Sequence, residues 1–182
     1  IQTGRTVEPR AITERLAAKC PVTAVIDFSR TGLDPTTFAS DPKVDTPMAE
    51  LVPGTDAPAA AHMVRVKNVD LLLRSMEQAW GTDGIVVLFS YVEIPPMLDY
   101  YRTVIDSIAD DTADHGMLRL WRPSVLLPLL SDGDGELAAH IAEPCEGMLL
   151  ECPDAPARWA LYGNDRLSYL LQSSGVPFDK LT

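Results

Sequence analysis

Ser90 is the residue of this sequence that comes nearest to a catalytic nucleophile by its position. It closes the apolar run GIVVLFS, and a serine in a tight turn after a strand is where one large group of hydrolases carries its nucleophile. The neighbours here are Phe89 and Tyr91, whereas the strained turn that exposes such a serine needs small residues around it. A hydrolase therefore stays an alternative that the local sequence does not favour.

The histidines and carboxylates show no established metal-binding spacing. His62, His115 and His140 are far apart, and none is paired with a second histidine in an HExxH arrangement. Segment 132–143 has acidic residues at the first, third, fifth and twelfth positions, as an EF-hand loop does. Its sixth position is Leu137, where that loop needs glycine, so we predict a solvated turn and no metal. A metal-dependent enzyme that uses the scattered His and Asp residues remains part of the enzyme alternative.

The cysteines and glycines give no sign of a redox or cofactor site. Cys20, Cys145 and Cys152 are odd in number and lack a C-x-x-C spacing, which predicts reduced, buried thiols. A Cys145–Cys152 disulfide or metal pair remains open. The sequence contains neither a P-loop nor a GxGxxG motif, so no cofactor is predicted.

Arg119, Trp121 and Arg122 form the most unusual polar group. If MLRLW (117–121) is a strand, Arg119 and Trp121 project from the same face. Arginine and tryptophan are enriched among the residues that dominate protein interfaces. The alternative is a salt bridge to an acidic neighbour together with a core aromatic.

The charge of the chain restricts its partners. The 182 residues carry 15 Lys and Arg against 26 Asp and Glu, a net charge of −11. Nucleic acids and anionic membranes need clustered positive charge, so we predict that the chain binds neither. No apolar run approaches the ~20 residues of a membrane helix. The first residues contain neither Met nor an apolar segment, which predicts a native start further upstream and no secretory signal.

Strand and helix patterns alternate along the chain. We predict strands at 22–28, 62–66, 84–90, 117–121, 146–152 and 157–163. We predict helices at 9–19, from Asn68 to Gly81, from the Pro95–Pro96 pair to about 109, at 123–130 with a kink or end at Pro128, at 137–142 and at 166–174. This order favours an α/β fold, with a mixed, partly parallel sheet and flanking helices in one domain over 1–182. Residues 29–61 are predicted to be an irregular segment with short turns or helical pieces.

Seven short motifs follow one another in an order typical of a known family. They are TAVID (23–27), AELVPGT (49–55), HMVRV (62–66), WGTDGIVVLFS (80–90), YYR (100–102), HGMLRLWRPSVL (115–126) and HIAEPCEGMLLE (140–151). Over roughly residues 20–150 the chain resembles the DUF 4123 family, the effector adaptor chaperones of bacterial type VI secretion systems. It departs from the family where D-P-R becomes Arg122-Pro123-Ser124, which would require any contact made by that motif to be rewired.

The resemblance implies a non-enzymatic, cytoplasmic bacterial protein. It would bind a secreted effector, often near its N-terminal region, and help to load it onto the spike protein of the secretion machine. The candidate partner-binding residues are Ser90, Arg102, Arg119, Trp121 and Arg122. Two alternatives stay open. The enzyme would need a histidine within about 3 Å of Ser90, or two histidines and a carboxylate that converge. A small-ligand module would need a deep apolar pocket with convergent polar groups.

Overall fold

The structure, a computed structural model, describes residues 2–40, 49–50, 61–111, 119, 121–132, 135–152, 159–163 and 165–173. These residues form seven strands and eight helices. The strands are β1 (Gln2–Thr6), β2 (Val22–Asp27), β3 (Ala49–Glu50), β4 (Ala61–Val66), β5 (Ile85–Phe89), β6 (Gly147–Glu151) and β7 (Trp159–Gly163). The helices are α1 (Pro9–Ala17), α2 (Phe28–Thr31), α3 (Pro35–Ser40), α4 (Val69–Gln78), α5 (Ile94–Asp111), α6 (Pro123–Asp132), α7 (Gly135–Ala142) and α8 (Asp165–Ser173).

All the strands belong to one sheet. Their order is β1-β7-β6-β5-β2-β4-β3, and each neighbouring pair is antiparallel. Five central strands, β7 to β4 in that order, are bordered by β1 and by the two-residue β3. Helices cover both faces, so the α/β composition and the flanking helices match the expectation.

The predicted partly parallel sheet is wrong. Strands β4 and β5 do run in the same direction, as the crossover helix α4 between them suggests. They are not neighbours, however, because β2 lies between them and pairs antiparallel with both: Thr23 is opposite Arg65 on one side and Leu88 on the other. In this split β-α-β arrangement, β4 and β5 are parallel to each other, as their order in the sequence implies. They form no hydrogen-bonded parallel pair, because β2 separates them.

The two faces of the sheet bury two separate apolar cores. Side chains alternate across a strand, and in β5 Val87 and Phe89 enter one core while Val86 and Leu88 enter the other. The first core is packed beneath α1, α4 and α8, and the second beneath α5, α6 and α7. This double coverage explains why β5 is an uninterrupted apolar run.

Helices α1 and α4 begin where the sequence predicts, because the residues at their starts favour a helix N-terminus. Pro9 occupies the first turn of α1, and Asn68 caps α4 by accepting a hydrogen bond from the Leu71 N–H at 3.1 Å. Within the irregular segment 29–61, the described part holds α2, α3 and β3, in agreement with the predicted helical pieces. Residues 41–48 and 51–60 of that segment lie outside the described residues.

One prediction around Trp121 is wrong. Arg119 and Trp121 do not lie in a strand: Trp121 is in a turn in which the Arg122 N–H donates to the Arg119 carbonyl oxygen at 3.0 Å. The rest of MLRLW lies outside the described residues. At Pro128, where a kink or an end is predicted, the helix does not end, since α6 continues through it to Asp132.

Two glycines let α8 approach the sheet closely. A Cβ atom on Gly163 would overlap Leu167, and one on Gly147 would lie 3.1 Å from the Leu167 Cδ1. Leu167 is fully buried at this contact, which fixes the first turns of α8 against the ends of β6 and β7. None of the described helices combines the length and the apolar character needed to cross a bilayer.

Substitutions at two neighbouring residues of β6 test whether each face of the sheet buries an apolar core. Leu149 and Leu150 are both fully buried, one in each core. We expect Leu149→Ala and Leu150→Ala each to lower the free energy of unfolding by about 2–5 kcal/mol, because each leaves a cavity in a closed core. Urea unfolding measures this, with exposed Glu77→Ala as the control. A loss below about 1 kcal/mol for one leucine alone would mean that its face of the sheet is not covered.

Candidate functional site

The polar side chains of interest gather at the two ends of the sheet. At one, here the Asp27 end, β2 and β6 finish and β5 begins; at the other, the Ser90 end, β2 and β6 begin and β5 finishes. The five residues of β5 separate these ends by roughly 17 Å.

Ser90 is a structural residue at the Ser90 end. It is completely buried, and its Oγ donates to the Pro144 carbonyl oxygen and accepts from the Val92 N–H at 3.0 Å. Both partners are backbone groups. This geometry uses the hydroxyl to join the end of β5 to the segment that leads into β6, so Ser90 cannot itself touch a partner.

A buried arginine holds the chain just after Ser90. Arg65 of β4 donates to the Ser90 carbonyl oxygen at 3.2 Å and to the Val92 carbonyl oxygen at 2.7 Å. Its Nη2 is also 3.5 Å from a carboxylate oxygen of Glu93. These bonds hold the backbone at Ser90 and Val92, on both sides of Tyr91. The Tyr91 side chain projects from this fixed segment into solvent.

Tyr91 and Tyr169 are the large hydrophobic side chains that the described surface exposes, at 55% and 73%. The Tyr91 hydroxyl donates to the Lys19 carbonyl oxygen at 2.7 Å, which orients its ring. Both tyrosines line an open groove of about 530 Å³. We call it the tyrosine groove, and its lining residues are Tyr91, Glu146, Arg166, Tyr169 and Leu170.

An ion pair lies within the tyrosine groove. The Arg166 Nε is 3.1 Å from a carboxylate oxygen of Glu146, whose side chain is almost fully buried, and a second Arg166 nitrogen donates to the Glu143 carbonyl oxygen at 3.4 Å. The buried carboxylate therefore fixes an arginine whose own side chain is 62% exposed. The groove combines two aromatic rings with an anchored guanidinium.

Sequence reasoning missed the tyrosine groove. Leu167 and Leu171 of α8 follow the apolar stripe into the first core, and Tyr169 falls on the opposite, polar side of the helix. A single aromatic residue on the polar side of a helix is common, and only the fold shows that Tyr169 lines a groove with Tyr91.

Carboxylates at the Asp27 end bind local backbone and hydroxyl groups. Asp27 caps α2, accepting from the Ser29 Oγ at 2.6 Å and the Arg30 N–H at 3.2 Å. Asp83 accepts from the Ser124 N–H at 2.7 Å and from the Ser124 Oγ at 2.6 Å. These bonds fasten the start of α6 to the turn before β5.

Glu151 closes that same turn from β6. It accepts hydrogen bonds from the N–H groups of Gly81 and Asp83, both of which have positive φ angles, 81° and 57°. Burial raises the pKa of Glu151, against the two N–H bonds, which lower it. The left-handed turn thus forms a backbone nest for a carboxylate that is held away from water.

The predicted partner-binding residues do not form one surface. Trp121 is buried in the second core, and its Nε1 has no hydrogen-bond partner among the described residues. Arg102 lies on α5, with its Nη1 3.7 Å from Asp99. Arg119 is exposed and Arg122 half-buried at the Asp27 end, far from Ser90.

The cysteines and the described histidines form no reactive site. Burial is the main cause that raises the pKa values of Cys20 and Cys145 to about 12, so these thiols stay protonated, and no disulfide joins any two of the three cysteines. His62 packs against the Phe28 ring, whereas His140 lies on the surface with its Nδ1 3.6 Å from Glu143. His115 lies outside the described residues, and within them no three metal-ligating side chains converge.

The second core contains a small apolar cavity beside Tyr101 and Trp121. Its volume is about 20 Å³, space for roughly one water molecule, whereas ligand pockets measure about 300–1,000 Å³. This cavity is a packing defect rather than the deep apolar pocket that the ligand-binding alternative requires.

Comparison with known proteins identifies no relative: no protein-family model, curated protein or solved structure matches the chain. The resemblance to DUF 4123 therefore rests on the order of its sequence motifs.

The role of Ser90 can be tested by removing its hydroxyl. We expect Ser90→Ala to lower the free energy of unfolding by about 1–3 kcal/mol, because the half-buried Pro144 carbonyl and Val92 N–H lose their partner. Urea unfolding measures the loss, and Ser173→Ala, at an exposed hydroxyl of α8, is the matched control. A Ser90→Ala variant as stable as the parent would show that the hydroxyl holds nothing together.

The raised pKa of Glu151 predicts that the stability of the protein depends on pH. Its pKa in the folded state is raised above the ordinary 4.5, so the stability contributed by the protonated form is complete below about pH 4.5. That contribution is lost as pH rises through the folded-state pKa. We expect Glu151→Gln to lack this loss, so its stability relative to the parent should increase from pH 4.5 toward neutrality. Exposed Glu77→Gln is the control, and parallel stability curves for Glu151→Gln and the parent would contradict the assignment.

Proposed function

We propose that this protein is a non-enzymatic adaptor that binds an effector protein and presents it to the spike protein of a type VI secretion machine. The tyrosine groove is the observation that carries the adaptor role. The identity of the partners follows from the resemblance of the motifs at 23–27, 80–90 and 115–126 to those of DUF 4123.

The tyrosine groove has the composition of an interface centre. Tyrosine and arginine dominate the binding energy of many protein interfaces, because they offer large contact areas and polar groups together. Tyr169 and Tyr91 supply the rings, and Arg166 supplies a guanidinium that Glu146 already positions. A partner that docks here finds an arginine whose orientation is fixed before binding, which lowers the entropic cost of association.

The bonding of the other reactive groups also supports a binding role. The Ser90 hydroxyl is engaged by two backbone groups, and the raised pKa values of Cys20 and Cys145 keep their thiols protonated at neutral pH. Such groups stabilise a fold and do not attack a substrate.

A copurification experiment tests the proposal. The tagged chain is coexpressed with the product of the adjacent gene and with the spike protein, and both are sought in the purified complex. We expect the effector to copurify and the spike protein to join it. If the tagged chain leaves both behind, the adaptor proposal is wrong.

Variants of Tyr169 test where the effector binds. We expect Tyr169→Ala to weaken effector binding about 30-fold, equivalent to about 2 kcal/mol, because the ring supplies the exposed apolar contact. Tyr169→Phe keeps the ring and should bind within a few-fold of the parent, and Gln78→Ala, at an exposed site on α4, controls for general damage. Calorimetric titration gives the affinities. Equal affinities for Tyr169→Ala and the parent would place the effector elsewhere.

A further inference from the structure

We propose that the Asp27 end carries a second binding site, in which Arg30, Arg119 and Arg122 receive carboxylate groups of an acidic polypeptide segment. We call these three residues the arginine cluster. Assigning that segment to a partner of the adaptor rests on the proposed function, whereas binding of carboxylates by the cluster does not.

The turn before β5 brings the arginines together. The Arg30 Nε donates to the Thr82 carbonyl oxygen at 2.9 Å, and its Nη2 lies 3.8 Å from Asp83. Asp83 also holds Ser124, which is two residues after Arg122. The hydrogen bond from the Arg122 N–H to the Arg119 carbonyl then places Arg119 beside them.

The carboxylates of this end are already engaged by other groups. Asp27 binds the start of α2, Asp83 binds the start of α6, and Glu151 binds the turn between α4 and β5. Among the described residues, no carboxylate approaches Arg119 or Arg122 within ion-pair distance, and the only ion pair of Arg30 is the long one to Asp83. Within the described part of the chain, these two neighbouring guanidiniums therefore form no ion pair with a carboxylate.

Arg122 has an unsatisfied donor at the centre of the cluster. Its Nε is buried and has no acceptor among the described residues, which costs free energy in the unbound protein. Burial lowers the pKa of Arg122, and the positive charges of Arg119 and Arg30 lower it further. The nearby carboxylates of Asp27 and Asp83 oppose this lowering of the pKa only in part. A carboxylate bound beside the cluster would relieve the repulsion between these like charges.

The shape of the arginine side chains suits a carboxylate ligand. The planar fork of a guanidinium matches a carboxylate with two parallel hydrogen bonds. Glutamate or aspartate side chains of a flexible segment fit these requirements, and recognition of acidic motifs by arginine clusters is a recurrent mode.

A peptide titration tests the site. A fluorescent glutamate-rich peptide is titrated with the full chain, and its glutamine counterpart and inorganic phosphate serve as comparison ligands. We expect the glutamate peptide alone to bind saturably, with affinity that falls as salt concentration rises. Arg119→Ala should weaken binding about 10-fold, as for a lost hydrogen bond to a charged group. Arg119 is exposed, so its substitution leaves the fold intact.

Two further variants separate geometry from charge. Arg122→Lys keeps the positive charge but loses the fork, and we expect it to weaken binding several-fold. Arg74→Ala removes an exposed arginine of α4 and should leave the affinity unchanged. Equal binding of the glutamine peptide, stronger competition by phosphate, or equal losses in the Arg119 and Arg74 variants would each overturn the proposal. Tyr169→Ala should not alter peptide binding. Loss of effector binding at the tyrosine groove and loss of peptide binding at the arginine cluster are therefore measured separately, and either proposal can fail without the other.

Discussion

The structure depends on the burial of β2 on every side. Its six residues are all buried, its backbone is hydrogen-bonded to β4 on one side and β5 on the other, and its side chains alternate between the two cores. Between its ends, Thr23 has the one polar side chain of β2, and its Oγ1 is buried without a hydrogen-bond partner among the described residues. The polar groups that form hydrogen bonds beyond the sheet therefore lie at the two ends of β2. Asp27 caps α2 at one end, and at the other the Pro21 carbonyl accepts from the Ser90 N–H at 3.0 Å.

The two ends differ in what they offer a partner. The Ser90 end is fixed by buried hydrogen bonds of Ser90 and Arg65, and that rigid frame turns Tyr91 outward beside Tyr169. The Asp27 end uses its acidic groups to hold turns and helix starts, which leaves Arg119 and Arg122 without acid partners among the described residues. One surface is aromatic and the other cationic, and the length of β5 separates them. That separation suits a protein proposed to hold two partners at once.

The sequence predicted the elements better than their arrangement. Apolar runs such as GIVVLFS and caps such as Asn68 are local signals, so the strands near 22–28, 62–66 and 84–90 and helix α4 could be found without knowing the fold. Insertion of β2 between β4 and β5 is a non-local choice that periodicity does not encode, and the parallel sheet was therefore wrong. Ser90 and Trp121 have reactive or interface-prone side chains, but only burial shows that both are internal. Arg119 and Arg122 stood out in sequence, and the structure adds that no carboxylate among the described residues lies within ion-pair distance of either.

Hydrogen exchange on the complex with the copurified effector tests most directly the claim that the two ends are the binding surfaces. Backbone amides report opening residue by residue, so a bound partner leaves a local pattern of protection. We expect slower exchange at 90–93 and in α8, with no change along the exposed faces of α4 and α5. Further protection at 27–31 and 81–83 would follow when an acidic partner segment occupies the other end. Protection confined to α4 or α5, or none at either end of the sheet, would contradict the account.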